Sequence, residues 1–306
     1  LRLTDPGYLG DDEGTGPRLI STAITIAGYV IFMGALIAIM TQWLHAKIQH
    51  LQRGETPISI SNHLLILGLT ERSPVVIEEL LASRKRVRSF LSRRGTQKLS
   101  LVVLVEHLDE DLRSDLAGRL GAVWDDREII LRSGTPLMME HLQRVAFDRA
   151  AAILIPGSAQ GTEARGYDAL TVKTVLTIAK HPLLEASERK PRIVAEVGDS
   201  HLARVLDGAY QGVLEVLPGD AVVSQLIAQT LRHRGLSWLL LELLAQRRGK
   251  SFMFGSFPEL AGSSFAVASR RLTGGVAIGF VRPGPRGWEP HLNPPDEMKL
   301  QRADRL

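Results

Sequence analysis

The sequence predicts an α/β protein built from one transmembrane helix, a parallel sheet wrapped by helices, and a small α+β C-terminal subdomain. Three observations carry this prediction. The stretch Leu19 to Leu44, LISTAITIAGYVIFMGALIAIMTQWL, holds no charged residue. From His63 onward, short apolar runs alternate with amphipathic ones. After Pro218 two apolar helical stretches give way to short strands and turns.

The apolar stretch is long enough to span a bilayer. At about 1.5 Å rise per residue it reaches roughly 39 Å, against about 30 Å of hydrocarbon. A signal peptide has a shorter apolar core behind a basic region, whereas Asp5, Asp11, Asp12 and Glu13 precede this one. His45, Lys47, His50 and Arg53 follow it. Basic flanks favour the cytoplasmic side, so residues 1–17 are expected outside and those after about Lys47 inside. The chain is thus expected to be integral to the plasma or inner membrane, in contact with lipid. Gly28 and Gly34 within the span offer the helix a hinge, or close helix packing. The first residue is Leu1, and the chain reads as an internal piece of a longer protein.

The body follows in order. Residues 47–61 read as a linker, with Gly54 and Pro57 ending the helix. Residues 62–218 alternate strand and helix. HLLIL (63–67), LSLVVLV (99–105), residues 128–131, AAAILI (150–155), residues 192–197 and residues 212–216 read as strands. The segment from Pro74 to Phe90 reads as one helix. Apolar strands in such alternation imply a parallel sheet covered on both faces. Residues 219–249 form two helices, the second (LSWLLLELLA) too short to span and so apolar that it needs a partner surface. Residues 250–306 read as the small subdomain, with strands near Phe252–Phe257, Val276–Arg282 and Trp288–His291.

The turn after the first strand invites a dinucleotide reading. That fingerprint needs three glycines, and here the positions are Gly68, Thr70 and Ser73. Glu106 stands where a ribose-binding acid would, although 38 positions after Gly68. NAD, another nucleotide, and a vestigial fold with no nucleotide all remain open. Glu106, Asp109, Glu110 and Asp111 concentrate carboxylates that could hold Ca²⁺, or simply favour a helix N-terminus. The basic runs at 84–88, 93–94 and 247–250 face either anionic lipid or solvent.

Other classes are excluded by composition and motif. The net charge is +4 with scattered lysine and arginine, which gives no nucleic-acid footprint. There are no cysteines, so disulfides, thiolate metal sites and cysteine nucleophiles are absent. No nucleophile elbow, zinc-binding histidine pair or P-loop lysine occurs, and the histidines are isolated. The chain does not read as an enzyme.

Several of these segments, in this order, resemble one family. RLISTAITIAGYVIFMGALIAIMTQWLHAKI is followed by NHLLILGLTERSPVVIEELL and GTPLMMEHLQRVAFDRAAAILIP, then by SFMFGSFPEL and LNPPDEMKLQRAD. Together they resemble the CASTOR/POLLUX ion channels and their bacterial relatives. The body is similar to the RCK domain, a Rossmann-like regulator of K⁺ conductance related to the Trk-type N-terminal domain. The resemblance implies a homotetramer of four pore helices over a gating ring that pulls them through residues 46–61 when a ligand binds. It places Thr4, Asp5, Pro6 and Gly7 in the filter region, where they depart from the Thr-Val-Gly-Tyr-Gly pattern of K⁺ channels. Permeating cations are therefore expected to be K⁺ or a broader monovalent and divalent set. It also implies that earlier spans and a second RCK-like half are missing, so this piece alone is not expected to conduct. The alternative is a Trk-like NAD(H)-binding regulatory subunit or a membrane-tethered dinucleotide-binding oxidoreductase.

Overall fold

The computed structural model describes residues 15–52, 54–157, 161–187, 189–245, 252–284 and 287–306. Helix α1 (Thr15–Gln52) is continuous. Its Thr22–His45 section is apolar and long enough to cross a membrane. A helix this apolar in a soluble protein would be buried, yet here only 11% of that window is. Ile31, Phe32 and Trp43 all lie exposed. The helix continues beyond its apolar part into the polar residues around Lys47 and ends before Gly54.

Six strands then form one fully parallel sheet: β1 (Leu64–Leu67), β2 (Leu101–Val105), β3 (Ile129–Ser133), β4 (Ala152–Ile155), β5 (Arg192–Val197) and β6 (Leu214–Pro218). The spatial order is β3-β2-β1-β4-β5-β6, so strand order reverses between β1 and β4. Helices α2 (Ser73–Ala82), α3 (Arg84–Ser92) and α4 (Glu110–Leu120) follow the first two strands. α5 (Met139–Arg144), α6 (Gly161–Ala179), α7 (Pro182–Glu185) and α8 (Ser200–Val205) follow the next three. Crossovers between parallel strands are right-handed, so the reversal sends the two helix groups to opposite faces.

Alternate side chains of β1 and β2 feed two cores. Leu65, Leu67, Val102 and Leu104 pack with Leu142, Phe147 and Val175, while Leu64, Ile66, Leu101 and Val103 pack with Ile77, Leu81 and Leu116. Period-two burial on both faces is why these strands read as unbroken apolar runs. Coverage stops short at β5 and β6. There one face is buried (Ile193, Ala195, Val197) and the other is half-open, with Leu217 exposed. Full burial on both faces is thus confined to β1 and β2; in β3, β4 and β5 buried residues alternate with half-buried ones, and α6 and α8 pack against β5 and β6 on the buried face.

Local chemistry also divides the expected 74–90 helix. The Ser83 hydroxyl donates back to the carbonyls of Glu79 and Leu80, at 2.9 and 3.1 Å, and the chain restarts as α3. α9 (Gly219–Arg232) and α10 (Leu236–Leu244) follow. Their apolar side chains are left bare: Leu231 is 88% and Trp238 79% exposed. The chain divides into two compact units, residues 1–228 and 229–306. In the second, α11 (Phe265–Arg271) and the antiparallel hairpin β7 (Gly279–Gly284) and β8 (Gly287–Leu292) surround Leu260, Phe265, Phe280 and Leu300. The expected strand at Phe252–Phe257 is absent. Only an isolated bridge from Ser256 to Arg305 stands there, and Phe252 and Phe254 are exposed.

Candidate functional site: the carboxyl edge of the sheet and the connector

In an open parallel sheet, ligands settle outside the carboxyl ends of the strands where strand order reverses. Here that point lies between β1 and β4. Gly68 ends β1 with a left-handed φ of 107° and its amide bonded to Leu104 O at 2.9 Å. The turn after it satisfies itself. Thr70 N–H donates to Ser73 Oγ at 2.9 Å, and Ser73 N–H donates to Thr70 O at 3.0 Å. Pro74 has no N–H to offer. Thr70 and Ser73 are both buried. Two of the amides that a pyrophosphate could use at a helix N-terminus, those of Thr70 and Ser73, are therefore engaged within the turn.

The crevice itself holds an ion pair that sequence reasoning missed. Arg72, on the turn before α2, pairs with Glu196 near the end of β5. Glu196 also accepts from Gly157 N–H at 3.1 Å. A side chain at Gly157 or Gly219 would meet Glu196 at 3.0 or 3.2 Å. Three segments thus close on one carboxylate, two of them at glycine. Beside it, Asp168 of α6 accepts from the amides of Gly198 and Asp199, at 2.8 and 3.2 Å. A signal was present in the sequence. ILIPG, AEVG and EVLPG each end a strand on glycine, the mark of backbone crowding at one sheet edge.

The other expected residues do not converge. Glu106 is exposed beyond β2, and Asp109, Glu110 and Asp111 open α4. Asp109 serves as its N-cap, accepting from Leu112 N–H at 2.8 Å. Among the described residues no group of three or more His, Asp or Glu side chains is placed to hold a metal ion. Thr4, Asp5, Pro6 and Gly7 lie outside the described residues. Gly28 is buried within α1 and Gly34 is exposed with open space around its Cα; the helix continues through both.

The connector from α1 to β1 is anchored rather than free. Ser133 N–H donates to Gly54 O at 3.2 Å, and Arg132 Nε donates to Thr56 O at 2.7 Å. Further along, Ile58 N–H reaches Arg144 O at 2.9 Å and Asn62 N–H reaches Arg149 O at 2.7 Å. The connector enters beside the carboxyl end of β3 and runs to the amino end of β1. His63 closes the run. It is fully buried and bonds Val145 O through Nε2 at 3.0 Å. Burial, aided by the charge of Arg149, outweighs that bond and nearby Asp148, and lowers its pKa to about 4.

Comparison with known proteins bears on this arrangement. A family model described as Castor and Pollux, part of voltage-gated ion channel, matches residues 220–306. The probable ion channel POLLUX of Oryza sativa subsp. japonica is 24% identical over 307 residues, covering 99% of this chain and 30% of its own length. The ion channel CASTOR of Lotus japonicus is 25% identical over 306 residues, covering 99% of this chain and 33% of its own. The chain is thus similar to CASTOR and POLLUX along nearly its whole length, and it spans about a third of the length of those curated proteins. Its fold is similar to that of the human SLO3 gating ring, with a TM-score of 0.50 at 18% identity, over 79% of this chain and 43% of that one. The α/β fold with a parallel sheet expected from the sequence is thereby present.

Proposed function

We propose that this chain is the pore-lining helix and the cytoplasmic regulatory body of a cation channel subunit. One observation supports this reading above the rest: an apolar, largely uncovered α1 leads through an anchored connector into an RCK-type body. A tethered soluble domain has no need of such a joint. A mechanical coupling does, because force on the body must reach the helix end without slack. The relatives' printed names, ion channel POLLUX and ion channel CASTOR, support the same reading.

In this account residues 1–17 form the outer pore mouth, with Thr4, Asp5, Pro6 and Gly7 in the filter region. One Asp5 per subunit makes a ring of carboxylates that draws cations. Residues 18–46 line the pore, with Gly28 and Gly34 as its bending points, and residues after about 47 are cytoplasmic. Four copies assemble, and the bare α9 and α10 faces are where neighbouring bodies pack. A gating ligand must bind open and closed rings unequally. The oxidoreductase reading is disfavoured by the self-satisfied turn at 68–73 and by the Arg72–Glu196 pair in the crevice.

This chain holds no cysteine, so orientation can be tested in a full-length protein cleared of any cysteine elsewhere. Single cysteines introduced at position 10 and at position 98 of the full-length protein would be probed in intact cells with a membrane-impermeant maleimide. Labelling at 10 alone is expected. Equal labelling of both, or release of the protein from membranes by alkaline carbonate, would overturn the reading.

A further inference from the structure

A second cavity lies at the opposite edge of the sheet from the crevice. Arg93, Arg94, Arg189, Lys190, Gln211 and Gly212 line an open groove of about 690 Å³. They come from three segments that meet at the amino ends of the strands: the end of α3, the approach to β5 and the approach to β6. Small-molecule sites usually enclose about 300–1,000 Å³. Four of these six residues are cationic, and among the described residues the lining holds no carboxylate.

The groove is built, not a chance meeting of surface side chains. Arg94 Nη2 donates to Lys190 O at 3.3 Å, which ties α3 to the segment before β5. The buried Tyr210 donates its hydroxyl to Pro191 O at 2.9 Å, which ties that segment to the approach to β6. Burial pushes the Tyr210 phenol up to about 12, against the opposing charge of Arg94, so it stays a donor. Gly212 lies against the Tyr210 ring. A Cβ there would stand 2.4 Å from a ring carbon, so the wall needs glycine. Three chain segments are thus locked in place while holding like charges together, an arrangement that costs free energy until an anion fills it. Arg94 spends one of its five N–H donors on Lys190 O. The guanidinium fork suits phosphate oxygens.

We propose that this groove binds a soluble polyphosphate, held by the cations of 93–94 and 189–190, at a site separate from the crevice by Gly68. Four cations call for several negative charges on one ligand, which a linear triphosphate supplies and a single carboxylate does not. The connector favours a soluble source over a lipid headgroup. It delivers the chain from α1 to the carboxyl edge, and the groove opens at the amino edge, about 16 Å away for a five-residue strand. The proposal stands or falls independently of whether the body gates a pore.

The test is calorimetric titration of the purified full chain in detergent with sodium tripolyphosphate. In parallel, the protein is co-sedimented with phosphatidylcholine vesicles with and without phosphatidylinositol bisphosphate. Saturable one-to-one tripolyphosphate binding is expected. It should weaken at least about tenfold in R189Q/K190Q, since charged hydrogen bonds of this kind each contribute about that much. Gln211→Glu, which puts a carboxylate in the groove, should weaken it too. R270Q/R271Q removes the same charge from the other unit and should leave it unchanged. Failure to bind, equal loss in R270Q/R271Q, retained affinity in R189Q/K190Q, or binding to the anionic vesicles alone would each overturn the proposal.

Discussion

Replacing Gly54 with alanine should loosen the joint between α1 and the body. Gly54 is buried at a φ of 65°. A non-glycine residue in this left-handed region costs about 1–2 kcal/mol. The added methyl would also lie 2.7 Å from Leu108 Cδ2 and 3.2 Å from both Arg132 Cα and Leu131 O. The leucine can swing aside but the backbone of β3 cannot, which adds about 1 kcal/mol of overpacking. The sum of about 2–3 kcal/mol should fall on the bond from Ser133 N–H to Gly54 O. Native-state hydrogen exchange of the Ser133 amide reads it, and an acceleration of roughly 30- to 160-fold is expected if that amide exchanges by local opening. Gly95→Ala is the comparison. Its φ is 87° but open space surrounds it, so it bears the backbone cost alone. In the full-length protein the same Gly54 variant should lower the ligand sensitivity of the current. Unchanged exchange at Ser133, or an equal cost at Gly95, would refute the reasoning.

Three further outcomes follow from named groups. His63 has a folded pKa of about 4 against about 6.5 unfolded, so its contribution is complete above pH 6.5 and is lost as pH falls toward 4. Urea unfolding should show about 3 kcal/mol of acid-dependent loss over that window, and His63→Gln should flatten it; parallel wild-type and variant curves would contradict this. Glu196→Gln keeps an acceptor for Gly157 but frees the Arg72 charge. Because that arginine is half-exposed the variant should lose no more than about 1 kcal/mol of stability, while titration with ADP shows new or tighter binding; no gain in ADP affinity would mean the ion pair is not what fills the crevice. In the second unit, burial pushes the Asp304 carboxyl up, but bonds from Arg282 at 2.7 and 2.9 Å and from Gln301 N–H outweigh it and leave it below the usual range. Asp304→Asn should cost about 2 kcal/mol, as for charged hydrogen bonds, present above about pH 4 and vanishing as pH falls through the lowered pKa, measured as a thermal shift; equal melting at pH 7 would refute it.

The sheet was legible because its strands are buried on both faces. LLIL and LVVLV admit few other readings, and the alternation with helices fixes parallel pairing. The half-open face of β5 and β6 was less so, since IVAEV looks apolar whether one side or both are covered. Ser83 was invisible as a helix end. Its effect depends on one hydroxyl turning back to two carbonyls, which a periodicity argument does not see. At the candidate site, Gly68, Thr70 and Ser73 are legible by spacing, and so is the departure from the three-glycine pattern, whereas the bond from Thr70 N–H to Ser73 Oγ is not. Arg72 and Glu196 were missed because they lie 124 positions apart in the chain and meet only through the strand order. For the carboxylates at 106–111 the sequence leaves a Ca²⁺ site and a helix N-terminus side by side, because proximity along the chain hides direction. Asp109 turns in to cap α4, and its neighbours turn out to solvent.

The central claim is that α1 lines a cation pathway governed by the body it joins. The most direct test is planar-bilayer recording of the intact full-length subunit under asymmetric salt, with Asp5→Asn alongside. The account predicts a current whose reversal potential follows the cation gradient and whose conductance drops in the variant. A reversal potential that follows the anion gradient, or a membrane that stays silent with correctly folded protein in it, would contradict it.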